Sequence, residues 1–143
     1  MKRRQEHPSY TGDEEFNYFL SVIFPVEQLH IWPYNRYVHD LNGLSRSEFL
    51  EKLTAAFDVA PVSERYEPVK KHQAGMYLDG KWYSLTFKKG TFNEENPVDQ
   101  LDVSILQNNL LGPILNIDDP RASSRIVFVG GNRGPPELER LLN

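Results

Sequence analysis

The chain has no cysteine, so a disulfide framework, a thiolate metal site and a cysteine nucleophile are all excluded, a composition at home in a reducing compartment. It also has no long hydrophobic run: the longest apolar stretches fall well short of the ~18 to 20 residues that a membrane span requires, and no basic-then-apolar leader stands at the start. The expectation is a soluble, cytoplasmic chain with no membrane partner. There is no excess of positive charge either. Sixteen Lys and Arg against twenty Asp and Glu leave a formal net charge of −4, which gives no general attraction to nucleic acid or anionic lipid.

The chain has apolar material in quantity. Hydrophobic residues make up 39% of the 143 positions and aromatics 12%, with 8 Phe, 7 Tyr and 2 Trp, enough to bury one core and to exclude disorder for the chain as a whole. Residues 1–15 are almost wholly polar and read as a lead-in; residues 16–143 read as a single α+β domain. The order Phe16-Asn17-Tyr18-Phe19-Leu20-Ser21-Val22-Ile23-Phe24 is rich in aromatic and β-branched residues, and His30 to Val38 alternates with the period of a strand. Together they predict a hairpin over Phe16 to Val38, with Pro33 at an edge, a bulge or the end of the pairing.

Ser45 stands three residues before Glu48 in a capping-box pattern, and Phe49, Leu50, Leu53, Ala56 and Phe57 recur at steps of three and four, which predicts a helix over Ser45 to Phe57. Val59 to Val62 suits a short strand. Asp79-Gly80 lies between two strand-like runs over Ala74 to Phe87, the turn a type I′ hairpin prefers. A second helical pattern covers Asp102 to Leu115, with Pro113 as its kink or its stop. The expected fold is therefore α+β: a mixed or antiparallel sheet built around two hairpins, with two main helices packed on it.

Two stretches suggest ligand chemistry. Ile126 to Glu137 reads as strand, glycine-rich turn and helix start; Gly130, Gly131 and Gly134 would let the backbone approach an anion and Arg133 would clamp it. The stretch lacks the Walker lysine and the Gly-x-Gly-x-x-Gly spacing, and Pro135 and Pro136 remove two amides; a tight turn that needs glycine accounts for it as well. Asn35 and Arg36 interrupt the apolar run Trp32 to Val38, and a guanidinium fixed between aromatic neighbours is a ready carboxylate or phosphate ligand. An edge-strand arginine stacked on Tyr34 or paired with a carboxylate is the plainer alternative.

His7, His30, His39 and His72 show no metal-ligand spacing, so no metal site is expected. His39 and Asp40 are adjacent and would point to opposite faces of a strand. Asp99 or Asp102 is expected to cap the second helix. No serine stands in a nucleophile elbow, so no catalytic residue is assigned.

Several of these segments together resemble the domain-of-unknown-function family 1015: Phe16-Asn17-Tyr18-Phe19 into Phe24-Pro25, Pro33-Tyr34-Asn35-Arg36-Tyr37-Val38, Asp40-Leu41-Asn42-Gly43-Leu44, Gly75-Met76-Tyr77, Leu101-Asp102-Val103-Ser104-Ile105-Leu106, and Phe128-Val129-Gly130-Gly131-Asn132-Arg133-Gly134. The resemblance extends over nearly the entire chain. It implies a longer parent protein carrying an Ala-Asp-Gly-His-His-Arg motif upstream of Phe16, a motif this chain lacks, so the chain is expected to be a fragment and inactive by itself. That motif is similar to the one in ParB/sulfiredoxin-like proteins, which include free-serine kinases. By this analogy the parent is a phosphotransferase acting on a small hydroxy amino acid, with a nucleotide as cosubstrate and the remainder of the parent chain as partner. The alternative is a non-catalytic module that binds a protein partner or its own copy, or that supports partition-type nucleic-acid work; direct nucleic-acid binding is disfavoured by the net charge.

Overall fold

A computed structural model of the chain describes residues 2–9, 11–131 and 134–142. The chain divides into two compact units, Met1–Ile31 and Trp32–Asn143.

In the first unit, helix α1 (Lys2–Glu6) is followed by single 3-10 turns at Glu15–Asn17 and Val26–Gln28. Glu14 organises the turn before Phe16. Its carboxylate accepts from the Thr11 amide (2.7 Å), the Gly12 amide (3.0 Å) and the Asn17 side chain (2.9 Å), and these bonds, led by the Thr11 amide, hold it down to about 2. The hairpin expected over Phe16 to Val38 does not form. Phe19, Leu20, Ile23 and Ile31 are 86%, 90%, 90% and 95% exposed, and no strand runs through them. Aromatic and β-branched residues favour a strand only when a pleated surface is there to receive them, and the second run of the expected hairpin finds a different partner.

That second run begins only after Pro33, which has no amide to donate. Strand β1 (Tyr34–Val38) pairs antiparallel with β5 (Ile126–Gly130), in a register that sets Tyr34 opposite Gly130, Arg36 opposite Phe128 and Val38 opposite Ile126. A separate antiparallel sheet has the order β2-β4-β3, from Phe57–Val62, Lys81–Phe87 and Gln73–Leu78. The α+β class is as expected, with two antiparallel sheets in place of one. The Asp79-Gly80 hairpin is present, both turn residues at positive φ (49° and 72°).

Helix α2 (Arg46–Leu53) opens on the Ser45 capping box, in which the Glu48 amide donates to Ser45 Oγ and the Ser45 amide donates to the Glu48 carboxylate. It stops four residues short of the expected end because Phe57 is taken by β2, where it faces Phe87 across the ladder. The Asp102 to Leu115 helix is shorter too. Helix α3 (Asp102–Leu106) widens into a π turn over Gln107–Leu111 and ends at Gly112, before Pro113. Asn109 donates its side-chain amide to the Ile105 carbonyl (3.0 Å) and so competes with the regular ladder, while the Gly112 amide reaches back five residues to Gln107. Neither Asp99 nor Asp102 caps the helix: its N-cap is Leu101, with no side-chain bond. Asp102 instead accepts from the backbone of His72.

Phe49, Leu53, Phe57, Leu85, Phe87, Ile105, Leu111, Leu115, Ile117 and Ile126 form one buried cluster, so α2, α3, β4 and β5 contribute to the same core. Helix α4 (Gly134–Leu142) is too short to stand alone. Glu139 anchors it, accepting from the Trp82 indole of β4 (2.8 Å) and from both Nε (3.2 Å) and Nη2 (2.9 Å) of Arg65, a forked charge-assisted contact.

Candidate functional site

Alternation along β1 turns Asn35 and Arg36 to opposite faces, so the two cannot serve one pocket together. Arg36 lies with the rings of Tyr34 and Phe128, which the β1–β5 register brings into a stack with centroids 5.1 Å apart and planes 4° apart. The guanidinium carbon stands 5.9 Å from the Tyr34 centroid and 5.6 Å from that of Phe128, within cation–π range. Nη1 donates to the Tyr34 carbonyl (2.9 Å) and Nε is buried without a partner. Among the described residues Nη2 has no acceptor. Burial pushes the Arg36 pKa down, the Tyr34 charge acting the other way, but a guanidinium starts so high that it stays protonated at any physiological pH.

Arg36 and Phe128 form one wall of an open hollow of about 650 Å³, whose other walls carry Asp99, Ser104, Asp118, Asp119 and Arg121. Arg121 pairs with Asp119 at 3.5 Å. Both signs of charge are therefore presented around a space large enough for a small polar molecule. Among the described residues no group of His, Asp and Glu is arranged to hold a metal ion, and no helix is long and apolar enough to cross a membrane.

Gly130, Gly131 and Gly134 do not line this hollow. Gly130 ends β5 opposite Tyr34. Gly131 is pressed against Pro33: a Cβ added there would stand 2.3 Å from the Pro33 carbonyl oxygen and 2.7 Å from its nitrogen. Gly134 opens α4 at φ +67°. Gly131 meets a close backbone approach and Gly134 a left-handed conformation. Arg133 lies outside the described residues. Of the five described residues among those singled out in the sequence, Arg36 alone lines the hollow; Asp118, Asp119 and Arg121 have no motif to announce them, since the β1–β5 pairing is what gathers them with Arg36.

Asp40 has a structural task. It takes a forked bond from Arg125, Nε to Oδ2 at 2.9 Å and Nη2 to Oδ1, and accepts the Asn42 amide at 2.8 Å. Arg125 also donates to the Leu115 carbonyl (2.8 Å), so the pair ties the end of β1 to the turn after α3. The Arg125 bond, helped by the Asn42 amide, lowers Asp40 to about 2. An unfolded aspartate titrates near ~3.9, so the contribution is fully present above that value and is lost as pH falls toward 2. Urea unfolding across that window should show a shallower pH dependence in Asp40→Asn than in the wild type; parallel curves would show that the clamp does not titrate.

The chain belongs to the family DUF1015, described as a protein of unknown function, whose profile matches residues 1–104. That match takes in Arg36, His72 and Asp102 but not the glycine-rich turn. No curated protein and no solved structure matches the chain.

Proposed function

We propose that this chain supplies the amino-acid-binding surface of a ParB/sulfiredoxin-like phosphotransferase acting on a small hydroxy amino acid such as free serine, with the phosphoryl-transfer groups and the nucleotide held by the rest of the parent protein. The observation that carries this reading is the Arg36 hollow. A zwitterion needs a cation for its carboxylate and an anion for its ammonium group; Arg36 offers the first, and Asp99 and Asp118 offer the second in the same hollow. The Tyr34 and Phe128 rings and the Nη1 bond fix the guanidinium before any ligand arrives, so little side-chain entropy remains to be lost on binding. The chain alone transfers no phosphoryl group in this account.

A charge-assisted hydrogen bond contributes about 1.5 to 3 kcal/mol. Arg36→Ala in the parent protein should therefore raise KM for L-serine by roughly 10- to 150-fold in a nucleotide-dependent phosphorylation assay, with kcat changed far less. Arg36→Lys should recover only part of the loss, since an ammonium lacks the planar fork. An unchanged KM in both variants would remove the site.

A second reading, a module that binds a protein partner or its own copy, is favoured by a different observation: Phe19, Leu20, Ile23 and Ile31 stand almost fully exposed, apolar side chains of the kind an interaction surface uses. Light scattering on the purified chain should show concentration-dependent association that Leu20→Lys with Ile23→Lys suppresses; a monomer at all concentrations would remove self-association from this second reading.

A further inference from the structure

The pocket around His72 is separate from the Arg36 hollow and is built with more constraint. His72 precedes β3 in a left-handed conformation, φ +62°, a region that non-glycine residues enter at a cost and that histidine enters more readily than most. Three contacts hold it there. Its amide donates to Asp102 Oδ1 (3.0 Å), its carbonyl accepts from the Phe87 amide (2.9 Å), and its ring lies against Phe92 with centroids 4.8 Å apart. Nδ1 is buried, 3.4 Å from the same Asp102 oxygen, yet makes no hydrogen bond. The side chain is nevertheless 32% exposed, so the accessible edge of the ring is the one away from Nδ1. His72 lines a cavity of about 240 Å³ together with Phe87, Lys89, Phe92, Glu94 and Gln100.

The geometry points to a proton-linked site for a small oxyanion, a carboxylate or a phosphate, held by the imidazolium of His72 and the ammonium of Lys89. The cavity is smaller than pockets for drug-sized ligands and suits a group of a few heavy atoms. Lys89 has no ion pair among the described residues, whereas its neighbour Lys88 is occupied by Asp58 and the Thr54 carbonyl. Gln100 gives its side-chain amide to the Glu94 carbonyl, which fixes that wall.

Proton linkage follows from donor counting. A neutral imidazole has one N–H and an imidazolium two. Only the charged ring can offer Nδ1–H to Asp102 and Nε2–H to a ligand together. Asp102, on α3, then balances the charge from behind. Lys89 adds to the attraction from the loop after β4, and the exposed Glu94 opposes it from the same loop, weakened by solvent and salt.

The test is an NMR titration of the His72 ring protons in the full chain, with inorganic phosphate in one series and acetate in another, at about pH 5.5 and about pH 8, which straddle the range where histidine changes charge. The expected result is a saturable shift at the lower pH with at least one of the two probes, about tenfold weaker at the higher pH, about threefold weaker in Lys89→Ala and tighter in Glu94→Gln, in proportion to one exposed charge each. The probe that binds more tightly identifies the ligand as phosphate or carboxylate. Lys89 and Glu94 are exposed, so both variants should fold as the wild type does. No saturable shift with either probe, equal affinity at the two pH values, or indifference to Lys89→Ala would overturn the assignment.

Discussion

Phe57→Ala should destabilise the compact unit by about 3 to 5 kcal/mol, the largest loss expected of any single truncation here. Phe57 is fully buried, meets Phe87 edge-on at 5.3 Å and 73°, and pairs with it in the β2–β4 ladder. It lies where the end of α2 turns into β2, and the Lys88 amide donates to the Ala56 carbonyl beside it (2.9 Å). Truncation would remove transfer energy and leave a cavity in the cluster that also holds Leu53, Leu85 and Ile105, side chains on separate elements that cannot all close in. Since domains of this size are stable by only about 5 to 15 kcal/mol, the variant should unfold at a much lower urea concentration with an unchanged slope. Phe57→Leu keeps most of the volume and should cost about half as much or less. A loss under about 1 kcal/mol for the alanine variant would mean that this residue is not at the centre of the core.

Gly131→Ala should be the second most damaging change tested, at about 1 to 3 kcal/mol or more. The added methyl would meet backbone atoms of Pro33 at 2.3 and 2.7 Å, and backbone cannot rotate away as a flexible side chain can. Relief requires the end of β5 to separate from the start of β1, which would loosen the Tyr34–Phe128 stack that holds Arg36. Gly134→Ala meets only the Pro136 ring, at 3.3 Å, but holds φ +67°; its cost should be nearer 1 kcal/mol. Thermal unfolding of the two variants separates close approach from backbone conformation. A fully stable Gly131→Ala would contradict the packing explanation and return the turn to consideration as an anion site.

These two residues also show how far the sequence could be read. The Asp79-Gly80 hairpin and the Ser45 capping box are legible because the residues that decide them are neighbours. The partner of β1 is not. Its alternation is plain in Tyr34 to Val38, but a strand pattern does not say which edge it meets, and pairing with β5 prevails over the adjacent Phe16 to Phe24 run. The early end of α2 has the same cause, since Phe57 fits both a helical stripe and a buried strand.

The candidate sites repeat this lesson. Arg36 could be picked out because a charged residue interrupts an aromatic run, whereas Asp118, Asp119 and Arg121 join it only through tertiary structure. His72 and Asp102 are 30 residues apart and belong to no motif. Local grounds offer Asp99 or Asp102 as the helix cap, and Asp102 instead meets the demand of the His72 amide for an acceptor. The glycine-rich turn has the composition of a phosphate cradle, and at Gly131 the approach of Pro33 leaves no room for a side chain.

The most direct test of the amino-acid-binding surface is calorimetric titration of L-serine into the purified chain, compared with Arg36→Ala of matched stability. Saturable binding of one equivalent is expected, which the substitution abolishes or weakens by at least about tenfold, the loss of one charge-assisted bond. Binding that is indifferent to Arg36, or no binding by a chain shown to be folded, would contradict it.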